Sequence, residues 1–299
     1  MHRLTALVPP AVCAAALGRV WPDDLDGQVR CLDEGARSLG LRHSCAPWST
    51  KTEDAALLEE LGMGGLPRGG STKTGDAALP KELDMGPLAS AGAAQEAADD
   101  DTFERLDEVA AGLAATPGAP PVLGVVSGPL GWGSRLAAAT PAAAGAAADP
   151  VEAIDAAADL AADRLRTLAR CGVEEVAVVE TGAVELYVDP AVAAESHDPL
   201  VKVAAHLRLG LVLVCTGTTS AEDLGYGRWV SSRGCSPGLG FLPDEALGSH
   251  RRLRRVLAGA TDGPDDREMI TAPLDDRVAP GLVRMAAAML DGPASGVSR

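Results

Sequence analysis

Three side chains capable of proton transfer or nucleophilic attack stand where short apolar runs stop: Glu180 after VAVV, Cys215 after LVLV and Asp275 after ITAPL. Burial at a strand end raises a carboxylate's pKa, which lets it exchange a proton near neutral pH. The same Glu180 can instead cap or salt-bridge a loop, and both readings stand. A cation is needed to activate Cys215, and no basic residue neighbours it in the chain, so an inert thiol is the favoured reading. Hydroxyls and glycine accompany these residues: Ser127 and Gly128 after PVLGVV, Thr181 beside Glu180, and Thr218 and Thr219 in CTGTT. They can bind a small molecule through hydroxyls and backbone amides, or form a tight strand-to-helix turn. Arg228 and Arg233 follow on the next loop and can pair with a substrate carboxylate, or balance an acidic surface.

The elements that must position these residues alternate. Short apolar runs read as buried strands at Leu4 to Val8, Pro121 to Val126, Val176 to Val179, Leu209 to Val214, Arg228 to Ser231, Gly240 to Pro243 and Met269 to Pro273. Helical spacing is expected at Gln28 to Leu39, Asp99 to Ala114, Pro150 to Cys171, Pro199 to His206, Asp244 to Ala258 and Pro280 to Leu290. Ser127 to Gly133 reads as a glycine-rich turn, and the alanine-rich stretch Ala137 to Ala148 as a loosely specified helix or connection. Alternating strands and helices with short joints give a parallel α/β sheet. About eight such units fit one (β/α)8 TIM-type barrel domain spanning the chain; an open doubly wound sheet is the rival.

A duplication interrupts the series: STKTEDAALLEELGMG (Ser49 to Gly64) returns as STKTGDAALPKELDMG (Ser71 to Gly86). Two copies do not build a solenoid, and the segment, at about 49–86, reads as an insert. Arg68 to Thr74 mimics a phosphate loop, but no buried strand precedes it, so nucleotide binding is set aside. His43 and Cys45 are soft ligands two apart without a matching partner pair, and no metal site is read there.

With 26 basic and 42 acidic residues the net charge is −16, which argues against nucleic acid and anionic membrane as partners. Six scattered cysteines without CxxC spacing suit free thiols in a reducing, cytoplasmic setting. Pro9-Pro10 and Arg19 weaken the apolar start as an export signal.

Three strand ends and the final helix carry a resemblance. PVLGVVSGPLGWGSRL (Pro121 to Leu136), CGVEEVAVVETGAVELYVDP (Cys171 to Pro190), LVLVCTGTTSAEDL (Leu211 to Leu224) and ITAPLDDRVAPGLVRMAAAML (Ile270 to Leu290) resemble, in order and spacing, the uroporphyrinogen decarboxylase superfamily. That superfamily includes corrinoid-linked methyltransferases and is related to cobalamin-independent methionine synthase. The resemblance covers about half the chain and implies a single barrel, a lyase or decarboxylase acting on a small carboxylated substrate, and a possible homodimer. Its alternatives are a methyl- or alkyl-transferase working with a thiol acceptor or a corrinoid protein partner, and a non-catalytic ligand-binding descendant. The methyltransferases' zinc is implied at a His-x-Cys pair, but Leu213 holds the His place beside Cys215, so no metal cofactor is expected. The decarboxylases' arginine-rich N-terminal motif is absent from residues 1–50. The resemblance makes Glu180 the acid or base of a cup rimmed by Ser127, Cys215, Thr218 and Asp275.

Overall fold

Among the described residues every strand pair but one is parallel, and the strands of the larger sheet follow one another in sequence order. The computed structural model describes residues 3–47, 106–139, 149–181, 189–216, 222–260 and 267–291. In chain order these form β1 (Arg3–Thr5), α1 (Pro10–Ala16), α2 (Leu25–Leu39), β2 (Ser44–Cys45), α3 (Leu106–Ala115), β3 (Val122–Ser127) and α4 (Pro129–Ala139). There follow α5 (Pro150–Arg170), β4 (Glu175–Glu180), α6 (Pro190–Leu207), β5 (Gly210–Cys215), β6 (Trp229–Ser231), β7 (Gly234–Cys235), β8 (Leu239–Leu242), α7 (His250–Ala260), β9 (Glu268–Thr271) and α8 (Pro280–Asp291). One sheet runs β2-β3-β4-β5-β6-β7, with only the β6–β7 pair antiparallel, and a second runs β1-β9-β8. The protein is thus an α/β fold rich in parallel strands. The duplicated segment 49–86 lies outside the described residues.

Helix α5 shows why the alternation holds. Asp149 caps it, its Oδ1 accepting from Val151 N at 2.9 Å, and Pro150 takes the first turn, where a missing N–H costs nothing. Its inward stripe buries Ile154, Ala157, Ala158, Ala161, Leu165 and Leu168, and Gly172, at φ 85°, turns the chain into β4. Each buried Ile or Leu contributes about 1.5–3 kcal/mol.

Besides the helix expected from Asp244, which starts only at His250 after a short 3-10 turn (Asp244–Gly248), three elements differ from the reading of the sequence. Helix α6 begins at Pro190 rather than Pro199, because the Asp189 side chain caps it at Ala191 N (2.8 Å) and tertiary packing tolerates Pro199 in its interior. The glycine-rich stretch after Ser127 is the start of α4, not an open turn. A Cβ on Gly131 would stand 2.8 Å from Thr181 O, and one on Gly133 would stand 2.6 Å from Ile154 Cα. These glycines admit neighbouring backbone. Third, Ser231 to Ser236 folds as the β6–β7 hairpin.

Two apolar cores result, and strand residues alternate between them. Val176, Val178 and Leu213 belong to a large core that also takes in the helices' inner stripes. Ala177, Val179, Val212 and Val214 belong to a second core, with Leu123 and Val125 of β3, Val230 of β6, Leu239 of β8, Ile270 of β9 and Leu7. This second core draws side chains from both sheets. The sheets also touch where Arg42 N donates to Leu4 O (3.4 Å) and the Cys45 thiol donates to Ala6 O (3.1 Å).

Candidate functional site

Register decides which way each candidate points. Ser127, Val179 and Val214 share one row across β3, β4 and β5, and the last two lie in the strand-only core, so Ser127 faces that side. Glu180 and Cys215 form the next row, one residue on. They therefore face the helices, as Val178 and Leu213 do. The expectation of Glu180 pointing with Ser127 into one cup is corrected: an odd spacing from Val179 turns it to the opposite face.

Burial leaves Glu180 1% exposed, yet its carboxylate is well supplied. Leu130 N donates to Oε1 (3.0 Å) and Gly131 N donates to Oε2 (2.7 Å), so the N-terminus of α4 embraces it. Gly128 makes room, since a Cβ there would run into the Glu180 carboxyl carbon. The amides that the sequence offered to a ligand are thus taken by the protein's own side chain. His197 of α6, fully buried, places Nε2 at 3.0 Å from Oε1, in close contact but out of line for a hydrogen bond from the ring N–H. Its Nδ1 lies 3.0 Å from the Tyr226 hydroxyl, and the two rings pack edge to face at 5.5 Å. Burial first, then the charge of Glu180, hold Tyr226 well above its ordinary pKa. The phenol keeps its proton and can donate it to Nδ1.

The fate of Cys215 follows from the same pocket. Burial first and the charge of Glu180 second push its thiol up to about 12. A neutral thiol beside a carboxylate already bound to two amides, with apolar Leu213 in place of the imidazole, does not fit the zinc site that the resemblance implies. No step is derived through a metal.

The other candidates scatter. Thr181 and Thr216 stand just past the tips of β4 and β5: Arg135 Nη1 donates to Thr181 Oγ1 (3.4 Å), and Thr216 N and Oγ1 donate to Glu180 O at 2.9 and 3.3 Å. Asp275 is exposed after β9, where Oδ1 accepts from Arg277 N (2.8 Å) in the turn before α8. Thr218 and Thr219 lie outside the described residues. Arg233 is exposed at the tip of the β6–β7 hairpin.

Arg228 stands at the amino end of β6, opposite the strand tips. There it binds Glu175 through Nη1 and Glu268 through Nη2 (2.9 Å). Thr5 Oγ1 donates to Glu268 Oε1 (2.6 Å) and lies 3.2 Å from His43 Nδ1, while His43 Nε2 lies 3.1 Å from Glu175 Oε2. Burial raises the pKa of Glu175, but the hydrogen bonds of His43 and Arg228 outweigh it and bring the carboxyl down to about 2. In a parallel α/β fold this end serves stability.

Sequence reasoning missed His197 and Tyr226. The signal was present: His197 interrupts the apolar stripe Ala193, Leu200, Ala204 of α6, and a buried imidazole demands polar company.

Among the described residues no helix is long and apolar enough to cross a membrane. No protein-family model matches the chain, and no curated protein matches it by sequence. A solved structure of a methyltransferase from Methanosarcina mazei is similar in fold over 97% of this chain and 91% of that one, with a TM-score of 0.55 at 15% sequence identity. The chain therefore shares the α/β fold of that structure.

Proposed function

We propose that the two sheets close into one (β/α)8 barrel and that the protein transfers a methyl or alkyl group to a thiol acceptor, as a divergent member of the uroporphyrinogen decarboxylase-like superfamily. The observation that carries the transfer reading is the likeness in fold to a methyltransferase along nearly the whole of both chains. Barrel closure is supported by the core that draws one face from the strands of both sheets, as barrel interiors do. The decarboxylase reading ranks second, because Arg228, which it would use to hold a substrate carboxylate, is bound to Glu175 and Glu268 at the far end of the strands.

In this reading the substrate sits at the carboxyl tips of β3, β4 and β5, where Ser127, Thr181 and Thr216 orient it; Gly128 belongs to the same rim. The acceptor sulfur attacks the methyl carbon in line, the S–C bond forms as the bond from carbon to the donor breaks, and the thiol proton passes to Asp275, which stands past the carboxyl end of β9 and joins the same rim only when the two sheets close into the barrel. Positioning supplies most of the rate. Glu180 acts through structure: its carboxylate holds the first turn of α4 against β4 and so fixes Ser127 and Gly128. Cys215 stays a neutral thiol. Partners are a thiol and a methyl donor, with a corrinoid protein as one source of the methyl group; a cytoplasmic homodimer completes the reading.

The test incubates the full-length protein with 13C-methylcobalamin and 2-mercaptoethanol and follows the S-methyl carbon by NMR. The expected result is transfer well above the protein-free rate, cut about 10²-fold in Ser127→Ala and Asp275→Asn. Transfer no faster than the blank would sink the reading, and carbon dioxide release from a small carboxylic acid in its place would restore the lyase.

A further inference from the structure

A cavity of about 650 Å3 lies where the two sheets meet, along the β6–β7 hairpin and edge strand β8. Its volume suits a small organic molecule and is far larger than an inorganic ion needs. Arg233 and Arg267 line it together with the Ser232 hydroxyl, while Phe241, Met269 and Pro243 supply apolar wall. Among the described residues no carboxylate lines it, and neither guanidinium has an ion-pair partner. In a chain of net charge −16, two arginines lining one cavity whose described wall holds no carboxylate set the sign of the ligand it would take.

The hairpin is built to hold Arg233 in place. Ser231 Oγ accepts from Arg233 N and Gly234 N at 3.2 Å each and donates to Gly234 O at 3.0 Å, which locks the tip. Ser236 Oγ accepts from Trp229 N at 3.0 Å and ties the returning strand. Arg267, just before β9, is turned toward the same wall. Burial pushes the thiol of Cys235 up, and the Arg267 guanidinium, with two backbone contacts, draws it part of the way back.

From this geometry we infer a second ligand site, a groove between β7 and β8 that takes an organic anion: a carboxylate or phosphate ester whose charge pairs with Arg233 and Arg267 and whose apolar body lies against Phe241 and Met269. Guanidinium forks match both anions bidentately. The site stands whether or not the methyl-transfer reading does, because none of the strand-tip residues Ser127, Thr181 and Thr216 lines it.

Isothermal titration of the full-length protein with phenyl phosphate, phenol and inorganic phosphate tests it. Phenyl phosphate is expected to bind with a Kd below about 1 mM, inorganic phosphate and phenol about tenfold or more weakly. Arg233→Ala and Arg267→Ala should each weaken phenyl phosphate about tenfold without lowering Tm, as both side chains lie outside the cores. Undiminished binding to the double variant, or no heat from phenyl phosphate at about 10 mM, would overturn the site.

Discussion

Strand β4 carries a glutamate at each end, and the two have opposite surroundings. Glu175 lies at the amino end on the face of Ala177 and Val179, bound by Arg228 and His43. Glu180, five residues on, lies at the carboxyl end on the face of Val176 and Val178, bound by two helix amides and a histidine. Odd spacing on a strand guarantees the opposite faces. Chemistry decides the rest: one carboxylate is stabilised by the Arg228 charge and a histidine where solvent partly reaches, the other by oriented backbone dipoles in a buried layer. A strand end is therefore no sufficient sign of a reactive carboxylate. The side it faces matters as much.

The sharpest way to break that comparison is to remove each carboxylate in turn. Glu180→Ala leaves two buried amides without their acceptor and the His197 ring without its carboxylate neighbour, and should cost about 3–5 kcal/mol, read as a fall in the urea midpoint at unchanged slope. A loss under about 1 kcal/mol would mean that water replaces the carboxylate and that the layer is open after all.

Glu175→Gln should cost less, about 2 kcal/mol at neutral pH, and its cost must vanish in acid. The sign follows from a folded pKa of about 2 below the ordinary value of 4.5: the stabilisation is complete above pH 4.5 and is lost as pH falls through about 2. Urea midpoints of wild type and variant should therefore converge between pH 4.5 and 2. Parallel curves would show that the partners of Glu175 do not hold its charge.

Gly128→Ala probes the Glu180 pocket from the other side, because the new methyl group would occupy the carboxyl carbon's place. The expected cost is about 1–3 kcal/mol, and much of it should disappear in a Glu180→Ala background, where the methyl group finds space. Strict additivity would place the strain elsewhere.

Much of this arrangement was legible in the sequence. Apolar runs marked β1, β3, β4, β5, β6, β8 and β9 but not the two-residue β2 and β7, which are too short to leave a pattern, and the Ile154 to Leu168 stripe marked α5, because burial against a single layer leaves a 3.6-residue period. The five-residue spacing of Glu175 and Glu180 on one strand puts them on opposite faces. Which face was inward could not be read, since parallel strands are apolar on both sides and period-2 polarity is lost. The same blindness gave Arg228 to the substrate: position after a loop does not say which end of the next strand a residue begins. Glycines misled at α4, where Gly131 and Gly133 serve close packing, and Pro199 misled at α6, where a capped start further upstream overrides it.

That capped start offers the smallest and cleanest refinement. Asp189 sits eight residues before His197, about 12 Å along the axis of α6, and touches none of the Glu180 cluster. Asp189→Ala should cost about 1 kcal/mol by freeing the Ala191 amide. If α6 is a rigid carrier of His197, this loss and that of Glu180→Ala should add within about 0.5 kcal/mol, since the sites share no partner. A coupling above about 1 kcal/mol would mean instead that the first turn of α6 and the Glu180 pocket open together, making the His197 contact a hinge between sheet and helix.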